Sequence, residues 1–453
     1  MLTALVRAEA QPARSPLDQE QREIFRELVE INTSPAGGSV APAAQAVAKR
    51  LSAAGFAPAD VETIGPTATC VNVVATLRGK DSAARPVLLM AHLDVVPAKR
   101  EDWKYDPYVL REENGWFIGR GTMDNKAGAS ALIANMIRWK REAYTPSRDA
   151  IMVLTCDEET DATGGIQWLL KERPRLGTAD YALNTDAGGV SRRSSGKVAF
   201  QVQAAEKAYV TFALTAKNEG GHSSVPRSDN AIYALAAALQ RVAAYRFPVQ
   251  FNPVSQAAFT RTATLETGTL AEDMAAAGRG ETSGAAIDRL SAIPYLNNGL
   301  RTTCVATMLS GGHAENALPQ SATATVNCRV MPGVPADEIK RTLEKVVNDS
   351  TIAVSTTYPM IPSPASPLRD DLLPAIEKVA TTFWPDAVVI PQMSAGATDG
   401  LYLRNANIPV FGPSGIEIQP EESRSHGLDE RVPVASIYRA REYWYTLVKT
   451  LLR

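Results

Sequence analysis

Three strand-like runs in the first half of the chain end on side chains that could do chemistry. His92 follows the apolar run PVLLMA, and Glu158 and Glu159 follow AIMVL within AIMVLTCDEETDATGG. Asp186 ends the third run, ADYALNTDA. Unpaired carboxylates at the rim of a core are costly unless a positive group meets them. We therefore expect a cation where these strand ends meet.

Two further residues extend this set. Asp124 stands in GRGTMDNKAG, where a helix is expected to begin, and His426 stands far downstream in SRSHGLDE. Imidazole and carboxylate groups together are ligands for zinc. Two histidines and three carboxylates exceed what one tetrahedral ion takes. They suit two ions, about 3.5–4 Å apart, that share one bridging carboxylate. Zinc would then stabilise the fold as well as supply chemistry.

Each residue also has an interpretation without a metal. A single histidine after a strand is commonly a structural residue, and Asp124 or Asp186 alone would be interpreted as a helix cap. The run DEE alone predicts a solvated turn, and we expect its neighbours Asp157 and Asp161 to be solvated or to support the ligands. The order of these residues along the chain favours a metal site. Without a metal, each of the separate alternatives would have to be true at the same time.

The elements that would position these residues alternate between strands and helices. Residues 17–55 show helical spacing, with Gly55 as a C-cap. The strand-like runs VNVVATLRG, PVLLMAHLD, AIMVLTCDE and ADYALNTDA then alternate with the helical NKAGASALIANMIRWKRE and GGIQWLLKER. This order predicts an α/β fold with a mostly parallel sheet and helices on both faces. In such a sheet, ligands bind at the carboxyl ends of the strands.

The length of 453 residues predicts two domains. From residue 197 the pattern becomes strand–helix–strand–strand–helix, which predicts a smaller α+β, ferredoxin-like domain over 197–364 that is inserted into the first. Residues 247–300 show weak helical patterns and are interpreted as an insertion in this smaller domain. The larger domain then comprises 17–196 and 365–453. Residues 1–16 are expected to be a flexible start or the remnant of a signal peptide.

Composition narrows the class of protein. The chain is 45% hydrophobic and 21% charged with a net charge of −2, which is typical of a globular protein and gives no sign of a nucleic-acid or membrane partner. The four cysteines show no C-x-x-C spacing and are interpreted as small buried hydrophobic residues. The sequence Ala8-Glu9-Ala10 is similar to the end of a cleaved export signal, which favours a periplasmic or secreted protein over a cytoplasmic one.

The motifs H-x-D, G-x-x-D-x-K, D-E-E, a strand-end Asp and S-H-G stand in an order that resembles the dizinc aminoacylase/carboxypeptidase metallopeptidase family. This family includes Gly-X carboxypeptidases, glutamate carboxypeptidases, aminoacylases, dipeptidases and succinyl-diaminopimelate desuccinylase. The resemblance covers about residues 17–450. The stretches LMAHLDVVPA, DWKYDPY and GWFIGRGTMDNKAG are most similar to the branch of Gly-X carboxypeptidases and N-acyl-amino-acid hydrolases.

The resemblance implies two zinc ions per chain, with cobalt or manganese as alternatives, and five ligands. These are His92, Asp124, Glu159, Asp186 and His426. It also implies that Asp124 bridges the ions and that the peptide bond after it is cis. Glu158 matches the general base, which must stay uncoordinated to take a proton from water. Asp94 is implied to hold the imidazole of His92 in its orientation.

The inserted domain resembles the lid of the same family. His222, in GGHSSVP, is implied to stabilise the tetrahedral oxyanion, and relatives often supply this histidine from a partner subunit. Asn316 and Arg329 match positions that contact substrate, and Gly396 matches a loop that presents backbone N–H groups to a substrate carboxylate. An arginine suits a free carboxylate because it binds it with two hydrogen bonds. Because relatives with enlarged lids can be monomers, a homodimer and a monomer both stay open.

The sequence therefore predicts a zinc-dependent hydrolase of amide or peptide bonds in substrates with a free C-terminal carboxylate. Releasing an amino acid from a small peptide would make it a carboxypeptidase or dipeptidase. Releasing it from an N-acyl amino acid would make it an aminoacylase. An aminopeptidase is less favoured, because it would need an acidic anchor in place of Arg329. An inactive binding protein is disfavoured, because the base and all five ligands are present.

Overall fold

The computed structural model of the chain describes residues 14–160, 163–193 and 195–453. Residues 1–13 of the predicted flexible start, 1–16, lie outside these ranges. Asp161 also lies outside them. The helices of the described residues are α1 (Pro16–Glu30), α2 (Ala41–Ala53), α3 (Lys126–Arg141), α4 (Ile166–Glu172), α5 (Ala231–Ala244), α6 (Pro253–Ala263), α7 (Gly268–Gly278), α8 (Ala285–Ser291), α9 (Pro294–Leu300), α10 (Ala336–Val347), α11 (Leu373–Phe383), α12 (Gly400–Asn405), α13 (Pro420–Ser423) and α14 (Val434–Leu451).

The strands of the same residues are β1 (Val61–Ile64), β2 (Asn72–Leu77), β3 (Val87–His92), β4 (Arg111–Glu113), β5 (Trp116–Ile118), β6 (Ala150–Thr155), β7 (Tyr181–Asn184), β8 (Gly189–Arg192), β9 (Val198–Glu206), β10 (Ala208–Lys217), β11 (Gly221–His222), β12 (Thr303–Gly311), β13 (Ala317–Leu318), β14 (Ser321–Val330), β15 (Ile352–Tyr358), β16 (Ala387–Ser394), β17 (Val410–Phe411) and β18 (Arg431–Pro433). Among the helices given above, none is long and apolar enough to cross a membrane.

A six-stranded sheet with the order β1-β2-β6-β3-β7-β17 forms the centre of the larger domain. Strands β6, β3, β7 and β17 are parallel, and β2 and β1 continue the sheet antiparallel. Along β3, Leu88 and Met90 join one hydrophobic cluster with α4 and α12, whereas Leu89 and Ala91 join another with α3 and α14. Because successive residues of a strand point to opposite faces, helices cover both faces of this strand. The predicted α/β fold is confirmed.

A four-stranded antiparallel sheet with the order β12-β14-β10-β15 forms the lid sheet. Leu235 of α5 and Ile339 of α10 pack against it in one cluster with Phe212. The chain order β10-α5-β12-β14-α10-β15 is the ferredoxin-like one that the sequence predicts. The predicted boundary at residue 197 differs, because β9 pairs with β8 and β16 in the larger domain. The chain enters the lid sheet at Ala208, the first residue of β10. The sequence sets the boundary earlier because alternation in β9 does not show which sheet the strand joins.

The stretch 247–300 contains α6 to α9, which begin at Pro253, whereas the sequence predicts a weakly helical extension of the lid. These helices share their own apolar cluster, which includes Phe259 and Leu290. Leu265, just after α6, packs with Ile390 of β16, so the segment covers the small β8-β9-β16 sheet of the larger domain. Many of its apolar residues are alanines, whose small side chains give little hydrophobic periodicity. The helical pattern is therefore weak in the sequence.

The four cysteines form two disulfides, Cys70–Cys156 and Cys304–Cys328. Their interpretation as unpaired hydrophobic residues is therefore wrong, although Cys156 and Cys328 are buried. Cys156 lies directly after β6, and Cys304 lies opposite Cys328 in the register of β12 and β14. The paired residues are 86 and 24 positions apart in the sequence. Their pairing depends on the tertiary fold, which no local spacing reveals.

Candidate active site

The predicted metal ligands converge at the carboxyl edge of the central sheet. His92 is the last residue of β3, Glu159 lies in the turn after β6, and Asp186 lies just after β7. Because β6, β3 and β7 are parallel neighbours, their ends bring these three residues together. Asp124 lies just before α3, and His426 comes from the loop between α13 and β18.

Asp124 lies between the two histidines. Its Oδ1 is 2.9 Å from Nε2 of His92, and its Oδ2 is 3.2 Å from Nε2 of His426. Asp186 Oδ1 lies 3.4 Å from the same His92 nitrogen, and Glu159 Oε1 lies 3.0 Å from the same His426 nitrogen. The residues form a first group (His92, Asp124, Asp186) and a second group (Asp124, Glu159, His426). A carboxylate shared in this way can bridge two cations.

Asp94 ties His92 to the turn that carries the two glutamates. The backbone oxygen of Asp94 lies 3.0 Å from His92 Nδ1, whereas its carboxylate lies 3.6 Å away. The same carboxylate accepts hydrogen bonds from the backbone N–H groups of Glu158 (3.2 Å) and Glu159 (2.9 Å). Asp94 therefore orients the ring more closely through its backbone than through the side chain that the sequence indicated. Its side chain positions the glutamates instead.

The peptide bond between Asp124 and Asn125 is cis, as expected. The side-chain amide of Asn125 donates a hydrogen bond to Asp186 Oδ1 (2.8 Å), and Thr185 Oγ1 donates one to Asn125 Oδ1 (2.8 Å). This chain of hydrogen bonds fixes the direction of the Asp186 carboxylate. The sequence interpretation missed Asn125, whose signal is its place directly after a predicted ligand.

The electrostatics of the site favour added positive charge. Burial, followed by the charge of Asp186, raises the pKa of Glu158 well above its usual range. Burial also raises the pKa of Asp186 to about 6. Hydrogen bonds to Asp124 and Glu159 raise the pKa of His426 to about 10. The site therefore crowds several carboxylates together, some of them buried, and divalent cations would relieve their repulsion. The donor set therefore fits two metal ions.

Asp399 lines the same cavity, and the sequence interpretation missed it. Its side chain is buried, Thr155 Oγ1 donates a hydrogen bond to its Oδ2 (2.5 Å), and its Oδ1 has no partner among the described residues. Burial raises the pKa of Asp399 to about 7. A signal was present, because Asp399 stands three residues after the predicted Gly396, in the stretch SAGATDG.

A cavity of about 960 Å³ extends from the predicted metal ligands to the lid sheet, and Arg329 is among the residues that line it. The Arg329 guanidinium lies 4.8 Å from the centre of the Tyr209 ring and has no acidic partner among the described residues. Lys207 also lines the cavity, but its Nζ donates to Asn298 Oδ1 (2.8 Å) and to the carbonyl oxygen of Arg301 (2.6 Å). Of these two cations in the cavity, Arg329 is therefore the one that is available to bind an anion.

His222 and Asn316 do not line this cavity. They are neighbours in an exposed two-stranded sheet of the lid, where β11 pairs with β13 and the N–H of Ser223 donates to the carbonyl oxygen of Asn316 (3.0 Å). Gly396 does line the cavity, but its N–H donates to Ser394 Oγ (3.1 Å). The roles predicted for these residues and for Arg329 stay predictions.

The sequence profile of peptidase family M20/M25/M40 matches residues 88–450. The chain belongs to this family. The N-fatty-acyl-amino acid synthase/hydrolase PM20D1 of Homo sapiens is 28% identical over 395 residues, which cover 83% of this chain and 76% of that protein. The succinyl-diaminopimelate desuccinylase of Halorhodospira halophila is 24% identical over 416 residues, which cover 90% of this chain and 92% of that protein.

Solved structures of the M20 family share the fold. The metallo-carboxypeptidase Sso-CP2 of Sulfolobus solfataricus superposes with a TM-score of 0.70 at 15% identity, covering 96% of this chain and 99% of that one. The family that the motifs resemble is thus confirmed. The chain is a hydrolytic enzyme of the metallopeptidase class that cleaves amide bonds, and its clustered His, Asp and Glu side chains are able to hold metal.

Zinc binding to the metal-free protein should release more than one proton per chain near neutral pH. His426, with its raised pKa of about 10, carries a proton there. Burial opposes a proton on His92, but Asp186 and Asp124 raise the pKa of this residue well above its usual range. Both rings must lose these protons to bind metal, so affinity should rise with pH. Calorimetric titrations in buffers of different ionisation enthalpy count the protons, and release of none would contradict the ligand assignment.

Proposed function

We propose that this protein is a two-metal hydrolase that cleaves the amide bond next to a free C-terminal carboxylate and releases an amino acid. The position of Asp124 carries the proposal, because its two oxygens face different histidines at 2.9 and 3.2 Å. Glu158 stands beside them, and no described residue donates a hydrogen bond to its carboxylate. A shared ligand and an unengaged carboxylate are the two parts that two-metal amide hydrolysis needs.

Zinc suits the ligands best, and cobalt or manganese would be held by the same atoms. His92 and Asp186 would hold one ion, Glu159 and His426 the other, and Asp124 both. When bound, two such ions lower the pKa of a water molecule and polarise the carbonyl of the substrate.

Glu158 would move the proton during hydrolysis. Because its carboxylate has no hydrogen-bond donor among the described residues, it is free to take a proton from the attacking water and to pass it to the leaving amine. The Asp94 carboxylate accepts a hydrogen bond from the backbone N–H of Glu158 (3.2 Å), which helps to hold Glu158 in the wall of the cavity. The proposed base and one proposed ligand, Glu159, are thus held by the same turn of the chain.

Arg329 is the group that we propose for the carboxylate of the substrate. It lines the same cavity as the metal ligands, and its planar guanidinium suits two parallel hydrogen bonds to a carboxylate. Lys207 is less suited, because burial lowers its pKa to about 7 and its amine already donates to two oxygens. Gly396 lines the same cavity and would contribute its backbone after a local shift.

Two substrate classes share this chemistry, small peptides and N-acyl amino acids. A carboxypeptidase or dipeptidase would take the first, and an aminoacylase the second. The human relative is named for N-fatty-acyl-amino acid substrates, which supports the second class here. Apolar side chains that could receive an acyl group also line the cavity, namely Val190, Ile361, Leu401, Ile416 and Ile418.

A matched substrate panel tests the proposal. It contains dipeptides, longer peptides and N-acyl amino acids, each with a free and an amidated C-terminus. Product release is followed by mass spectrometry with zinc and with a chelator. We expect chelator-sensitive cleavage of the free-carboxylate substrates, and the best acyl group would name the subclass. Equal cleavage of the amidated substrates would contradict the carboxylate anchor and favour an aminopeptidase.

We also propose a homodimer in which His222 serves the active site of the partner. His222 and Asn316 are separate from the cavity of their own chain. The lid also carries exposed apolar side chains on its edge strand β12 and on α5, namely Ile232, Tyr233, Val305, Met308 and Leu309. An exposed apolar edge strand favours pairing with another chain. Helices α6 to α9 leave these side chains exposed, which favours the dimer over a monomer with an enlarged lid.

Mixing the variants His222→Ala and Glu158→Gln should restore activity that neither has alone. In a mixed dimer, one active site combines the intact Glu158 of one copy with the intact His222 of the other. Random exchange of subunits should therefore recover about a quarter of the wild-type activity. Activity after subunit exchange, together with the mass by analytical ultracentrifugation, measures this. A monomer, or a dimer without recovery, would contradict the proposal.

Export from the cytoplasm is a further part of the proposal. Disulfides such as Cys70–Cys156 and Cys304–Cys328 persist in oxidising places, such as the periplasm or the outside of the cell. They therefore support a periplasmic or secreted protein. Cell fractionation of the native host checks the location.

A further inference from the structure

A buried ion pair lies behind the metal ligands. Nη1 of Arg120 is 2.7 Å from Oε2 of Glu430, and the two side chains are 3% and 0% exposed. The pair joins two stretches that are far apart in the sequence, the loop that leads to Asp124 and the segment that follows His426. It therefore connects the shared ligand with a ligand of the second group.

Glu430 holds the loop that presents Asp124. Besides Arg120, its carboxylate accepts hydrogen bonds from the backbone N–H groups of Gly121 (3.0 Å), Met123 (2.8 Å) and Asp124 (3.0 Å). Hydrogen bonds to an ionised acceptor are the stronger kind. The loop cannot shift without breaking several of them, so Glu430 fixes the backbone of the shared ligand.

Arg120 holds the other loop. Its Nη2 donates to the carbonyl oxygen of Gly427 (3.1 Å) and lies 3.4 Å from that of His426. This loop is left-handed at three residues other than glycine, Arg424 (φ 54°), His426 (φ 63°) and Asp429 (φ 52°). Such residues keep this conformation only where surrounding contacts hold them. The bonds from Arg120 are contacts of that kind.

We infer that the Arg120–Glu430 pair is a positioning device for the metal centre, which sets the place of Asp124 relative to His426. The inference rests on the proposed two-metal function. Both ligands belong to the second group, so the metal affinity of this group depends most on the pair. Neither Arg120 nor Glu430 lines the cavity, so the pair acts through the ligands rather than on substrate.

The two loops stay joined without the pair, so its variants are suitable for testing. Strands β5 and β18 are antiparallel, with Ile118 opposite Arg431. The N–H of Gly119 also donates to the backbone oxygen of Glu430 (3.0 Å). These backbone bonds remain when either side chain is replaced. We therefore expect the variants to fold and their metal affinity to change.

Calorimetric titration of the metal-free protein with zinc tests the inference. Arg120→Lys keeps a charge opposite Glu430 but loses the branch that holds the His426 loop. It should lower the affinity of the second group about 10–100-fold and leave the first group unchanged. Glu430→Gln should weaken both groups, because they share Asp124. Asp149→Asn is the matched control. Asp149 is a buried carboxylate just before β6, whereas Glu158 and Glu159 lie after the other end of this strand.

The outcomes separate clearly. Wild-type zinc affinity at both groups in Arg120→Lys and Glu430→Gln would overturn the inference, whatever their melting temperatures. An equal loss of affinity in Asp149→Asn would also overturn it, because the effect would then follow from general destabilisation. A wild-type protein that binds no second zinc would refute the two-metal proposal and this inference with it. If Glu430→Gln does not fold, Arg120→Lys decides, since it retains a cation opposite Glu430.

Discussion

Replacing Glu158 with Gln should lower kcat by about 10²–10⁴-fold and leave the metal ions bound. Glutamine keeps the size of the side chain but cannot take a proton at neutral pH. Since no described residue donates a hydrogen bond to the Glu158 carboxylate, the change leaves no donor without a partner. Asp94 still accepts the hydrogen bond from the backbone N–H of residue 158, so the turn keeps its shape.

Glu159→Gln is the matched comparison for this variant. Glu159 is the next residue, and its Oε1 lies 3.0 Å from His426 Nε2, so its replacement should remove metal as well as activity. Measuring metal content beside kcat separates the two cases. His92, Glu158 and Glu159 are themselves close enough to hold an ion. If Glu158 were a ligand there, Glu158→Gln would lose metal and activity together. That result, or a wild-type rate, would contradict its assignment as the base.

The convergence of the proposed metal ligands could be predicted from the sequence because their signals are local. His92, Glu159 and Asp186 each follow an apolar run, and parallel neighbouring strands bring their ends to one edge. The order of the motifs along the chain then led to the prediction of Asp124 and His426 as further ligands. The ferredoxin-like order of the lid was readable for the same reason, since each element shows its own hydrophobic period.

The features that the sequence did not reveal depend on contacts between distant segments. Lys207 is held by Asn298, and Glu430 by the loop before Asp124, and no spacing along the chain records either contact. The disulfides are of the same kind. Helices α6 to α9 are a different case, because their alanines carry little periodicity and packing on β16 decides their place.

Replacing Arg329 with Met should remove the preference for substrates with a free carboxylate. We expect kcat/KM for these substrates to fall about 10²–10³-fold, and that for their amidated analogues to change little. Burial lowers the pKa of Arg329, but an arginine stays protonated at neutral pH. Its charge lies in the cavity without an acidic partner among the described residues, so a substrate carboxylate would compensate it directly. Methionine keeps most of the apolar contact with Tyr209.

The variants Arg329→Lys and Lys207→Met show which cation binds the carboxylate of the substrate. Lysine at position 329 keeps the charge but loses the paired donors, so it should recover only part of the preference. Burial lowers the pKa of Lys207 to about 7, and its amine donates to Asn298 and Arg301. Lys207→Met should therefore keep the ratio of kcat/KM between free-carboxylate and amidated substrates. If the ratio instead survives in Arg329→Met and collapses in Lys207→Met, the carboxylate binds at Lys207. A ratio unchanged in both variants would mean that neither cation recognises the carboxylate.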